Sequence, residues 1–480
     1  MIMEIITRET IKPSFPTPIH LRNFKLSLLD QLAPVCYGPL LLFYSLNAQI
    51  NPQLTLSERS QILKTSLSET LTRFYPLAGR IKDDTSIECN DYGVVFVETR
   101  INCFLSTFLG EPDAQMITKL IPIEIESPEA CTGSLLQVQI NCFSCGGLAI
   151  GVCISQKISD ALTATIFIKD WAATAASASS SAGCGSTLQA EALLPLFNAS
   201  SIFPPQNFSF KMPIAQLKKE GYVAKRFFFE ASKITALKAK ASSESVKNPT
   251  RVEALTGLIW KCAMNASRSN TDFRLSILSQ SVNMRRRMVP SLPEHTIGNL
   301  AGHFASLATE GDIELSSLVG QLRKGMKDFR EDYVKKLQGD DAFVANRESF
   351  KEAVHMRQEV NIDFYISTSL CRFPFYGIDF GWGKPAWVTI PSGAFKNVIL
   401  MMDSRDGDGI EAWVTLSEED MAFFQRDQEL LAFASLNPSV ISTPITPQVF
   451  SLNIKKYMRA YCCFDLFCFE HCSIVGRQLP

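Results

Sequence analysis

The chain has 480 residues, with 47 Lys+Arg against 48 Asp+Glu and a formal net charge of −1. That balance argues against a nucleic-acid binder, which usually carries a basic excess. A composition that is 46% hydrophobic and 20% charged is that of a globular chain, long enough for two or three domains, and not of a disordered or collagen-like one. Any mechanism that needs an imidazole must draw on His20, His295, His303, His355 or His471.

The N-terminus, MIMEIITRETIKPS, is interrupted by Glu4, Arg8, Glu9 and Lys12, so no secretion segment is expected. No run of about 18 apolar residues occurs, so no membrane-spanning helix is expected and the protein reads as cytosolic. The 14 cysteines are scattered, as buried thiols of a reducing compartment are. Asn198, Asn207 and Asn265 each open an N-x-S triplet, whose glycosylation is not expected without a secretion signal.

Helical and strand signals alternate along the chain, which predicts an α/β fold. Leu63, Leu67, Leu71 and Phe74 recur at helical spacing after a Ser57/Glu58 start signal. Leu136, Val138, Ile140 and Cys142 alternate with Gln137, Gln139 and Asn141, which predicts a half-buried strand. Ser144 to Gly147 is a turn, and Leu148 to Ser155 a second, mostly apolar strand. A helix is expected from about Asp160 through Trp171. The small-residue stretch 173–187 and Pro204-Pro205 then read as a linker, here bounded at 173–220. A first domain over 1–172 and a second over 221–437 flank it. The remainder, 438–480, is an atypical tail with Cys462, Cys463, Cys468, Cys472 and His471. Its spacing lacks the paired ligands of a zinc site, and a loosely attached tail is expected.

Several fingerprints are missing. There is no GxGxxG after a strand, no GxxxxGK[ST] and no GxSxG. Cys142-x-x-Cys145 has redox spacing but falls on a hairpin turn, which favours packing. Asp403 to Gly409 lacks the acidic twelfth-position ligand of a calcium loop and reads as a hairpin turn. Arg285-Arg286-Arg287 is open between a phosphate site, a partner for a buried carboxylate and a solvated run.

Ser155-Gln156-Lys157-Ile158-Ser159-Asp160 stands where an apolar strand ends and a helix begins, a common catalytic position in α/β sheets. Asp160 can also cap the helix that follows. Tyr376 to Pro385 sets three glycines among aromatics, which suggests a tightly turned loop packed on the body of the protein.

With these segments the chain resembles the plant acyl-CoA-dependent acyltransferases called the BAHD family, over about residues 3–437. Tyr75-Pro76-Leu77-Ala78-Gly79-Arg80, Glu88-Cys89-Asn90-Asp91 with Gly93 and Phe96, Thr250 to Leu255 with Ile259-Trp260, and Asp379-Phe380-Gly381-Trp382-Gly383 match its motifs in order. Val282-Asn283-Met284-Arg285, Leu292-Pro293-Glu294 and Gly298-Asn299 look most like the branch that acetylates alkaloid and terpenoid alcohols. The resemblance implies two similar chloramphenicol-acetyltransferase-like domains, each with a mixed sheet and flanking helices, joined by a crossover loop with a solvent channel between them. It implies acyl-CoA as co-substrate, with acetyl-CoA favoured, and a small-molecule alcohol as acceptor. Nucleic acid, membrane, bound metal and bound cofactor are not expected, and the chain is expected to act as a monomer.

In the family's HxxxD motif the histidine removes the hydroxyl proton, while the aspartate pairs with an arginine, for which Arg285 is the match. This chain has Gln156 at the histidine position. Gln156, Asp160 and Asp379 are thus the candidate catalytic positions. Arg285, Phe380, Gly381, Trp382 and Gly383 are candidate structural supports, and His303 is the candidate substitute base. An amide does not take a proton near neutral pH. Three readings stay open at this point: acyl transfer without the usual base, a repurposed lyase or cyclase, and a catalytically silent ligand-binding paralogue.

Overall fold

Alternating apolar runs and helical stripes build two mixed β-sheets with helices packed on them. The computed structural model describes residues 1–45, 54–179, 194–207, 221–269, 274–337, 362–392 and 395–441. Met1–Val440 is one compact unit. The cysteine-rich tail, His471 and His355 lie outside the described residues, as do parts of the expected linker.

The first half contributes β1 (Met3–Ile11), β2 (Asn23–Lys25), β3 (Tyr37–Tyr44), β4 (Arg80–Asp83), β5 (Ser86–Glu88), β6 (Val94–Ile101), β7 (Leu136–Phe143) and β8 (Leu148–Ser155). The second half contributes β9 (Tyr222–Phe229), β10 (Leu275–Asn283), β11 (Ala301–Ala308), β12 (Ile362–Ser369), β13 (Trp387–Thr389), β14 (Val398–Asp403), β15 (Ile410–Ser417) and β16 (Ser435–Leu436). One sheet runs β1-β6-β7-β8-β3-β13 and the other β11-β10-β12-β14-β15-β9-β16, while β2-β5-β4 form a small third sheet. Pairing is mixed: β6–β7, β10–β12 and β12–β14 are parallel, and β7–β8, β3–β8 and β14–β15 antiparallel. The halves are not separate in chain order, because β13 adds antiparallel to β3 and completes the first sheet.

The helix Leu56–Arg73 starts at Thr55, where a capping box with Glu58 satisfies the first N–H groups. Its stripe Leu63, Leu67 and Leu71, with Phe74 just beyond its end, is buried as expected. The helix after Asp160 runs Ala161–Ser179, beyond the expected end at Trp171. Alanine is the best helix former, so the Ala-rich stretch extends the helix instead of starting a linker. β7 is also more buried than its alternation implied. Gln137, Gln139 and Asn141 are buried, and two of them are satisfied from a neighbouring segment: Gln139 Nε2 donates to Lys119 O (3.0 Å) and Asn141 Nδ2 to Leu120 O (2.9 Å). The 403–409 segment is the β14–β15 turn, with Gly407 at φ +80°.

The loop Tyr376 to Pro385 packs on the first core. Phe380 stacks on Trp382 (centroids 5.7 Å) and meets Trp171 and Tyr44 edge-on at 5.0 and 5.9 Å. Tyr44 Oη donates to Ile378 O at 3.1 Å. Truncating the fully buried Phe380 ring removes its contacts with Tyr44, Trp171 and Trp382 at once. Phe380→Ala is expected to lower unfolding stability by about 3–5 kcal/mol, read from the midpoint of chemical denaturation.

Candidate functional site

The site begins where β8 ends. After Ser155 the chain turns: the Gln156 N–H donates to Cys36 O (3.0 Å) and the Ile158 N–H to Ser155 O (3.2 Å). Asp160 then caps the helix, its Oδ1 accepting from the Thr163 N–H at 2.8 Å. Its carboxylate is held in a fork by Arg285, Nη1 to Oδ2 at 2.6 Å and Nη2 to Oδ1 at 3.3 Å. The guanidinium is fully buried. It is saturated by further donation to Thr296 O (2.9 Å), Thr163 Oγ1 (3.0 Å) and Gly298 O (3.2 Å). Of the three arginines in that run, Arg285 pairs the buried carboxylate, Arg286 pairs exposed Glu294, and Arg287 donates to Asn283 O.

The loop 296–300 is gripped from three sides. The Asn299 N–H donates to Asp30 Oδ1 (2.6 Å), the Leu300 N–H to Asp160 Oδ2 (3.0 Å), and Asn299 Nδ2 to the Gln156 carbonyl (2.8 Å). Gly298 lies at φ +144°, and a Cβ there would come within 3.3 Å of Asp30 Oδ1. Both facts require glycine. Asp30 is 1% exposed, and burial pushes its carboxyl above the usual range, against hydrogen bonds from Ser27 and the Asn299 N–H. Asn299 was noted only as part of the branch-like Gly298-Asn299 pair, and Asp30 and Thr163 were not singled out from sequence. Only Asp30 carried a local signal, the Ser27-x-x-Asp30 spacing of a capping box, which the structure shows.

Gln156 is half-buried beside Gly38, and among the described residues its side-chain amide has no hydrogen-bond partner. Its backbone is fully engaged while its side chain is free to meet a ligand. The neighbouring Lys157 points away, donating to Gln31 O (2.8 Å), and burial holds its ammonium below the ordinary value. His20 is exposed, and His295 is held through its carbonyl, which accepts from the Leu196 N–H. His303 stands on β11, where its Nδ1 is 3.4 Å from Ser281 Oγ. Asp379 is exposed and uses one oxygen within its own loop, accepting from the Gly381 N–H (2.8 Å) and the Gly383 N–H (2.9 Å). Neither bond joins it to the Asp160 cluster, and both brace the loop that carries Phe380 and Trp382. No group of three or more potential metal ligands occurs among the described residues, and none of the described helices is long and apolar enough to cross a membrane.

Two sheets with an Asp–Arg clamp at the end of a central strand define an acyltransferase scaffold of the kind the motifs suggested. The Transferase family model matches residues 1–431. Akuammiline synthase 1 of Alstonia scholaris is 40% identical, covering 91% of this chain and 98% of its own length. Limonoid 7-O-acetyltransferase of Citrus sinensis is 38% identical over 91% of this chain and 98% of its own. The crystal structure of vinorine synthase superposes with a TM-score of 0.78 at 35% identity, covering 92% of this chain and 100% of that one. The chain belongs to the BAHD acyltransferase family.

Removing one partner of a buried ion pair leaves the other charge uncompensated. Asp160→Ala and Arg285→Ala are each expected to cost about 3–5 kcal/mol in denaturant unfolding, while the charge-free double variant with apolar replacements of matched volume recovers much of that loss.

Proposed function

We propose that the protein transfers an acyl group, acetyl in the first instance, from acyl-CoA to a hydroxyl of a terpenoid or alkaloid alcohol, with Gln156 standing where the family's histidine base would be. The observation that carries this reading is the intact clamp of Asp160, Arg285 and loop 296–300 around a free Gln156 amide. Relatives named for limonoid acetylation and for akuammiline synthesis support this acceptor class. Asp379, Phe380, Gly381, Trp382 and Gly383 act by supporting the fold.

In the reaction the alcohol oxygen attacks the thioester carbonyl, the carbon–sulfur bond breaks, and the hydroxyl proton ends on the CoA sulfur. Gln156 can accept the hydroxyl hydrogen bond through Oε1 and so aim the oxygen, but it cannot carry the proton. Asp160 is ill placed to do so, since Arg285 and the Leu300 N–H already engage its carboxylate. What position 156 itself can offer is positioning, and orientation of this kind can supply about 7–11 kcal/mol. A general base is worth about 10²–10⁴ in rate.

The purified protein with acetyl-CoA and a panel of terpenoid and alkaloid alcohols is expected to form ester, detected by mass. Gln156→His, which restores an imidazole at that position, is expected to raise kcat/KM. If the unsubstituted protein makes no ester with any acceptor while Gln156→His does, native acyl transfer is refuted for that panel. CoA-independent turnover of an acceptor would instead establish the lyase or cyclase reading.

A further inference from the structure

Part of one face of the second sheet is left unburied among the described residues, although Ile277 and Met402 on it are covered. Strands β10, β12 and β14 are interior in the strand order, where both faces are ordinarily covered. Ser276, Leu278, Tyr365, Ile399 and Met401 are buried on the face toward the helices. On the opposite face Ser279, Ser281, Asn283, Ile366, Thr368 and Leu400 are only half-buried, and His303 and Ala305 of β11 are exposed. An interior sheet face that water reaches is the wall of an open space.

A polar row crosses that wall. His303 is directly opposite Ser281 in the β10–β11 pairing. His303 Nδ1 lies 3.4 Å from Ser281 Oγ, and Ser281 Oγ lies 3.1 Å from Thr368 Oγ1. One repeat along β10, about 7 Å of strand, stands Asn283 on the same face. Asn283 Oδ1 accepts from the Arg285 N–H (3.0 Å) and from Arg285 Nη1 (3.4 Å), the same nitrogen that holds Asp160. At its other end β11 emerges from loop 296–300, whose Asn299 grips the Gln156 carbonyl. The row therefore begins one side-chain repeat from the clamp.

We propose that His303 is the proton acceptor of this enzyme, serving from the second sheet in place of the imidazole missing at position 156. The inference rests on the acyl-transfer reading above. With Nδ1–H donating to Ser281, whose hydroxyl donates on to Thr368, His303 Nε2 keeps a free lone pair facing the open space. It takes the hydroxyl proton as the alcohol oxygen bonds to the thioester carbon. As the carbon–sulfur bond breaks, it returns that proton to the departing CoA thiolate, so that alcohol and acyl-CoA become ester and free CoA. Although His303 is open to solvent at its surface, the protein packed around it partly desolvates the imidazole and holds it below its ordinary value. It is therefore neutral and ready to accept at pH 7. Activity should fall as pH drops through a value below about 6.5, where the base becomes protonated.

The test is a double-substitution series with acetyl-CoA and the best acceptor of the panel. His303→Ala is expected to reduce kcat/KM about 10²–10³-fold and to abolish the acidic limb of the pH profile, with thermal unfolding little changed. In the Gln156→His background the same substitution should cost at least tenfold less, because a second imidazole now does the work. Ester formation by His303→Ala at the native rate with an unchanged pH profile would overturn the proposal. So would equal losses in both backgrounds, which would mark His303 as structural. If the unsubstituted protein makes no ester at all, the acyl-transfer reading falls and the proposal with it. Native activity indifferent to His303 removes only the proposal.

Discussion

A buried guanidinium cannot stand without a counter-charge, and most of the site follows from how Arg285 meets that requirement. Its partner Asp160 comes from the other half of the chain, so the pair pins the turn after β8 to the segment after β10. The remaining Arg285 donors need acceptors, and these are the carbonyls of Thr296 and Gly298. That draws loop 296–300 against the turn, where Asp30 and Asp160 take its successive N–H groups. A small apolar cluster beneath, with Leu28, Leu29 and Phe203 from the first half and Val282, Met284 and Leu300 from the second, seals the arrangement from water. Without that seal the ion pair would be an exposed one, worth little.

The same arrangement explains how a glutamine can stand at position 156 without disturbing the scaffold. At residue 156 the backbone does the structural work, through its N–H to Cys36 and its carbonyl from Asn299. The side chain does none. The frame is indifferent to what projects from it, and the chemistry can change there while the fold is kept.

Much of this was legible in the sequence. The strand from Leu148 to Ser155, the turn before it, the partnership of Asp160 with Arg285 and the supporting role of the loop 379–383 all rest on local patterns or on family motifs. What escaped notice was non-local. β7 alternates like a half-exposed strand, yet its amides are covered, because residues 119 and 120 bring carbonyls to them from a distant segment. The Ala-rich stretch after Trp171 is compatible with linker or helix, and packing of Ala172 and Ala175 in the first core decides for helix. Asp30 and Thr163 look ordinary in sequence, since their roles depend on a loop more than a hundred residues away.

The insertion of β13 into the first sheet has a consequence for synthesis. Tyr44 bonds to Ile378, 334 residues further along, and β13 follows soon after. A nascent chain emerges from the ribosome N-terminus first. Until nearly all of it has appeared, β3 is an unpaired, wholly apolar sheet edge, the kind of surface that templates aggregation. Pairings of such long sequence separation are also slow to form. The first half of this enzyme is therefore an unfinished domain for most of its own translation, and it waits on the second half for both its last strand and the Phe380–Trp382 wedge that fills its core.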